Sequence, residues 1–216
     1  GVAYVIYASD DLTTQTQVSV GNIGSSWNSL SGVKFYPGDE TSGDFGISVD
    51  IVKNNYGDSK VKLLVGASNL NSNGSVVSVR EFMPYSGGNM DINGSTFDSF
   101  YYLDTLKGEN SNDYFGKTSM GAGDINGDGV EDILIGAPSY DNTNSYSNGR
   151  AYLIFGTNGT TTPNTTIPPA STSQGIMITG DNQYDNIGEY MSPVGDVNGD
   201  GYDDFIIGVP YADDGN

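Results

Sequence analysis

The run Phe115-Gly116-Lys117-Thr118-Ser119-Met120-Gly121-Ala122-Gly123-Asp124-Ile125-Asn126-Gly127-Asp128-Gly129-Val130-Glu131-Asp132-Ile133-Leu134-Ile135-Gly136-Ala137-Pro138 places an acidic, glycine-rich loop directly before a short apolar strand. Its landmarks return along the chain in a fixed order. A Gly-acidic pair stands eight residues ahead of another glycine at Gly38-Asp39 to Gly46, Gly108-Glu109 to Gly116, and Gly180-Asp181 to Gly188. Eight residues further on a loop rich in Asp, Asn and Gly begins, at Asn54, Asp124 and Asp196. An apolar strand then runs into Gly66-Ala67-Ser68, Gly136-Ala137-Pro138 and Gly208-Val209-Pro210. The equivalent glycines lie 70 residues apart (66 to 136) and 72 apart (136 to 208). Landmarks that keep phase over three copies mark a repeat architecture.

The apolar runs are short and β-rich: Val61 to Val65, Ile133 to Ile135, Ala151 to Phe155 and Phe205 to Ile207. Turn residues fill the gaps, and no stretch sustains helical spacing, so the fold class is all-β. The strand Gly149-Arg150-Ala151-Tyr152-Leu153-Ile154-Phe155-Gly156 has a counterpart in Gly1-Val2-Ala3-Tyr4-Val5-Ile6-Tyr7-Ala8. Each repeat therefore offers about four strands, the size of one propeller blade. The expected division is 1–37, the end of one blade and the start of the next; 38–107, a repeat with a degenerate loop; 108–179, a repeat with an acidic loop; and 180–216, a third, incomplete repeat.

Composition narrows the function. With no cysteine and no histidine, disulfides, Cys/His zinc sites and Ser-His or Cys-His catalytic pairs are excluded. Acidic residues outnumber basic ones 27 to 8, a net charge of -19, which opposes nucleic-acid binding and suits divalent cations. No run has the length of a membrane span, so no membrane insertion is expected. Acidic neighbours such as Asp10-Asp11 and Asp213-Asp214 point to opposite faces of a strand and do not make a glycosidase pair. Trp27 and the tyrosines read as packing residues before they read as sugar platforms.

Phe115-Gly116, the loop from Gly123 to Gly129, and Asp132 to Pro138 together resemble the FG-GAP repeat, the blade unit of integrin α-subunit propellers and of many bacterial surface and secreted proteins. The resemblance covers nearly the whole chain in three copies. The last copy departs at Ile187-Gly188 and Val209, the first in its loop. It implies four-stranded antiparallel blades of β-propeller type in tandem, open or part of a larger propeller, outside the cell or on its surface. Closed propellers use four to eight blades, so three are expected to need further blades, other copies or an open array. Joining Asn216 to Gly1 puts the next equivalent glycine 74 residues after Gly208. That join fits one period of a longer array, and it equally fits a fragment whose ends happen to align.

Two loops carry chemistry. Asp124, Asn126, Asp128 and Asp132 occupy positions 1, 3, 5 and 9 of the first; Asp196, Asn198, Asp200 and Asp204 occupy them in the second. Calcium takes six to eight oxygens, and the backbone carbonyls of Val130 and Tyr202 at position 7 complete each set. An EF-hand is excluded, because position 12 is Ile135 or Ile207 inside a strand. The plain alternative is an Asx-Gly turn whose side chains serve only local backbone hydrogen bonds. The resemblance also assigns calcium here, as a brace. In the degenerate loop Asn54 to Lys62, Tyr56 replaces Asn and Lys62 the last Asp; no metal is expected, with Lys62 pairing Asp58 instead.

Sequons at Asn73, Asn93, Asn158 and Asn164 are candidate N-glycosylation sites, and an Asn/Ser/Thr-rich chain explains them equally well. No nucleophile or acid-base pair stands out, so no enzyme is expected. The favoured function is a calcium-stabilised structural or adhesive module of a filament, sheath or adhesin, its partners being neighbouring copies, further blades, glycans or surface proteins. A carbohydrate- or protein-binding propeller and the accessory propeller of a secreted enzyme are the alternatives.

Overall fold

A computed structural model of the chain describes residues 3–6, 32–36, 44–53, 61–69, 75–80, 88–91, 102–141, 147–157, 167–169 and 171–212. Every named element among them is a strand. The sequon asparagines Asn73, Asn93, Asn158 and Asn164, the degenerate loop from Asn54 to Lys60, and Trp27 lie outside the described residues.

The strands group as the repeat expects. β3 (Phe45–Lys53), β4 (Val61–Ala67), β5 (Ser75–Arg80) and β7 (Tyr102–Lys107) form one four-stranded antiparallel blade. β8 (Thr118–Gly123), β9 (Asp132–Ala137), β10 (Arg150–Ile154) and β11 (Gly175–Thr179) form a second. β12 (Tyr190–Gly195) and β13 (Asp204–Gly208) supply the first two strands of a third. Towards the amino terminus, β1 (Ala3–Ile6) and β2 (Gly32–Tyr36) pair antiparallel, as the third and fourth strands of a blade do. One feature departs from the four-strand expectation. β6 (Gly88–Asp91), inserted in the connection from β5 to β7, adds parallel to β2.

The middle blade is buried on both faces because its strands alternate between two cores. Ile135, Tyr152 and Ile154 pack with Val52, Leu64 and Leu106 of the blade before it. Leu134, Ala151, Leu153 and Ala122 pack with Ile187, Phe205 and Ile207 of the blade after it. The period of two along each strand thus delivers one residue set to each neighbour.

The landmark glycines explain themselves at these junctions. A Cβ on Gly136 would lie 2.1 Å from the carbonyl oxygen of Gly188, and one on Gly66 would lie 2.1 Å from that of Gly116. Gly66 and Gly136, next to the ends of β4 and β9, therefore let the following turn, Phe115-Gly116 or Ile187-Gly188, come close. Hydroxyls staple the same contact: Ser48 donates to the Gly116 carbonyl at 3.0 Å, and Thr118 to that of Gly188 at 2.6 Å. Phe115 itself is sealed, edge-on to Tyr152 with ring centroids 5.3 Å apart. Glu109 of the Gly-acidic landmark accepts from Arg150 at 2.7 Å and from the Tyr152 hydroxyl at 2.6 Å, while Arg150 lies 3.6 Å over the Tyr140 ring.

Candidate metal centre

Both acidic loops join the first and second strands of a blade, β8 to β9 and β12 to β13. Positions 4 and 6 are glycines with positive φ: 74° at Gly127, 85° at Gly129, 78° at Gly199 and 94° at Gly201. Side chains resist that backbone region, so glycine closes the turn at little steric cost.

The two loops repeat one hydrogen-bond pattern. In the first, Asp124 Oδ1 accepts from Asp128 N–H at 3.0 Å and Asp124 Oδ2 from Gly129 N–H at 2.8 Å. Asn126 Oδ1 accepts from Asp128 N–H at 2.9 Å, and Asp128 Oδ1 from Val130 N–H at 2.9 Å. In the second, Asp196 accepts from Asp200 and Gly201, Asn198 from Asp200, and Asp200 from Tyr202, at 2.9–3.1 Å. Position 9 returns from the next strand in both. Asp132 Oδ2 accepts from Ile125 N–H at 2.9 Å, and Asp204 Oδ2 from Val197 N–H at 3.0 Å. Asp132 Oδ1 also accepts from Gly156 N–H at 2.8 Å, tying the loop to the end of the third strand.

The local bonds of an Asx-Gly turn are therefore present. Among the described residues no three acidic side chains gather closely enough round one point to form a metal cage as they stand. The donor set nonetheless fits a hard cation in kind. Each carboxylate has about four lone-pair sites, so accepting one or two N–H bonds does not exhaust it. Asp132 is fully buried, and burial, together with the Asp128 and Asp124 carboxylates, pushes its carboxyl up to about 6 against the pull of the Gly156 and Ile125 N–H groups. A buried anion among like charges is what a divalent ion would relieve. Asp196 is exposed, and the N–H groups of Gly201, Gly199 and Asp200 hold its carboxyl below the usual range.

Position 8, outside the alternating ligand positions, reaches the preceding blade. Asp203 Oδ2 accepts from Asp124 N–H at 2.8 Å, and Asp203 N–H donates to the Asp124 carbonyl at 3.1 Å. One junction earlier, Glu131 accepts from the N–H of Lys53, the last residue of β3. The signal that could have found them is the acidic residue standing at position 8 in both loops. Lys117 and Glu189, 72 residues apart, add an ion pair at 2.7 Å across the second junction.

Four-stranded antiparallel blades joined through such turns define a β-propeller-type repeat protein. The FG-GAP repeat family matches residues 118–154 and 192–216, so these two stretches carry integrin-like FG-GAP repeats. Among curated relatives, integrin alpha-IIb of Mus musculus is 36% identical over 120 residues, covering 53% of this chain and 11% of that protein. Integrin alpha-PS2 of Drosophila melanogaster is 36% identical over 110 residues, covering 49% and 7%. Integrin alpha-8 of Homo sapiens is 31% identical over 115 residues, covering 51% and 10%. The chain thus spans about a tenth of the length of these relatives. None of these likenesses speaks for a bacterial type. No helix among the described residues is long and apolar enough to cross a membrane.

Proposed function

We infer that this chain is a calcium-braced structural or adhesive repeat module working outside the cell or at its surface. The observation that carries the reading is one acidic, glycine-closed turn, with five hydrogen bonds in common, at the same place in two successive FG-GAP repeats. Asp124, Asn126, Asp128, the Val130 carbonyl and Asp132 would hold one ion; Asp196, Asn198, Asp200, the Tyr202 carbonyl and Asp204 a second. Calcium supplies positive charge where carboxylates otherwise repel, and it would lock each turn against its blade. The likeness to integrin alpha chains supports a role in adhesion with protein partners, and no catalytic step is assigned. The test is thermal unfolding of the full chain in calcium and in a chelator. Binding confined to the folded state adds about 2.7 kcal/mol per site at a hundredfold excess over Kd. A melting temperature that rises by several degrees with calcium supports the brace; one indifferent to calcium overturns it.

A second feature supports association with further blades, as continuing chain or as neighbouring copies in an array. On β3, Val49 and Ile51 are 58% and 53% exposed, whereas Ser119 and Gly121, their equivalents on β8, are buried against the first blade. On β12, Val194 is 43% exposed, whereas its equivalents Val52 and Ala122 are sealed. Both outer faces thus offer apolar surface where the inner ones are covered. Electron microscopy of the native material, with calcium and then chelator, checks the array. Regular filaments that fray on chelation are expected, and discrete particles would refute it.

A further inference from the structure

The two acidic loops are not separate objects. Asp203, at position 8 of the second loop, puts its carboxylate on the N–H of Asp124, position 1 of the first. Its own N–H returns to the Asp124 carbonyl at 3.1 Å, so the two residues are clasped twice. A Cβ on Gly123 would fall 2.3 Å from Asp203 Oδ2, so the approach needs glycine there. Beside it, the Tyr202 ring lies over Gly127: a Cβ on Gly127 would be 2.4 Å from Tyr202 Cε1. Consecutive residues of the second loop therefore grip the first loop at its opening residue and at its first turn glycine. Both sit next to proposed ligands, since Tyr202 and Asp204 belong to the second set and Asp124 to the first.

We propose that the two calcium loops are energetically coupled across the blade junction, with Asp203 as the positioning residue that transmits the coupling. This rests on the calcium reading above. Filling the second loop fixes Asp204 and the Tyr202 carbonyl, and so fixes Asp203 and the Tyr202 ring between and beside them. That holds Asp124 and Gly127 in the conformation the first ion needs, so the first ion no longer bears the ordering cost. Linkage makes the effect reciprocal: an ion in the first loop must raise affinity in the second by the same factor. The grip itself runs from the later blade to the earlier one, the second loop holding the first. One junction before, Glu131 likewise reaches back to the N–H of Lys53 at the end of β3.

The test uses the full chain and calcium chloride. Amide NMR shifts of Gly127 and Gly129 report the first loop, and those of Gly199 and Gly201 the second. Asp200→Ala cripples the second loop at an exposed side chain that folding tolerates. It is expected to weaken calcium at Gly127 and Gly129 by about fivefold or more, within the usual range of coupling. Asp203→Ala is expected to weaken the first loop by a similar factor, and Asp203→Asn, which keeps an oxygen for the Asp124 N–H, to recover part of it. The combined Asp200→Ala/Asp203→Ala chain should lose no more than Asp203→Ala alone, whereas a merely structural role for Asp203 gives additive losses. Calcium shifts at Gly127 whose midpoint is unchanged in Asp200→Ala and Asp203→Ala would overturn the coupling and leave the calcium reading standing. If the parent chain shows no calcium-dependent shifts at Gly127 or Gly199, the calcium reading fails and the coupling fails with it.

Discussion

Asp132 ties the first acidic loop to its blade. It is fully buried, accepts N–H bonds from Ile125 and Gly156, and closes the first acidic loop from the following strand. Asp132→Asn keeps the volume but turns an amide NH₂ towards one of those donors. The expected cost is about 1–3 kcal/mol in chelator, with loss of that loop's share of the calcium response. Paired urea unfolding with and without calcium checks both. Asp113 makes a different point. It is buried in the turn before Phe115, and burial, with Glu109 adding repulsion, outweighs the Asn110 N–H bond and pushes its carboxyl up to about 6. A carboxyl raised on folding holds its proton more tightly in the native state. Its contribution to stability is therefore full below pH about 4 and is lost as the pH rises through about 6. Asp113→Asn, which keeps the acceptor for Asn110, should be more stable than the parent at pH 7 by about 1–3 kcal/mol. The two should converge near pH 4 in denaturant titrations. A constant difference across that range would contradict the assignment.

Among the elements, the blade junction is the unit that matters, and glycine decides how near two blades come. Gly136→Ala would drive a methyl into the Gly188 carbonyl and the Thr118 hydroxyl, at 2.1 and 2.2 Å. Since backbone stands on one side, the second and third blades must part, at a cost of about 3 kcal/mol or more. A drop in the urea midpoint well beyond that of Thr118→Val checks it. Glu109→Ala should cost about 2–4 kcal/mol, because it strands both the Arg150 guanidinium and the buried Tyr152 hydroxyl. Glu109→Gln should cost less. The repeat, the strands β1, β4, β9, β10 and β13 and the place of the acidic loops were legible, because phase, β-branched runs and Asx-Gly turns are local signals. The hydroxyl staples of Ser48 and Thr118 and the reach of Glu131 and Asp203 were not, because they join residues about 70–80 positions apart. β6 escaped for the same reason: its partner β2 lies in the preceding unit and runs parallel. The sequence pattern also left open whether the loop oxygens serve a metal or the backbone. The hydrogen bonds show that they serve the backbone, with lone pairs remaining.

At the scale of the whole molecule, net charge and blade packing pull in opposite directions. A charge of -19 repels itself, and the acidic loops concentrate part of it at successive junctions. Two bound calcium ions would offset four of those charges where the blades meet, so added calcium should stabilise the chain more than the same ionic strength of sodium chloride. Whether these two loops hold calcium is answered by counting ions. Isothermal titration of the purified full chain with calcium chloride, repeated on Asp132→Asn and on Asp204→Asn, is the measurement. Two ions per parent chain and one in each variant are expected. A parent chain that takes up no calcium, or variants that bind as many ions as the parent, would contradict the calcium reading.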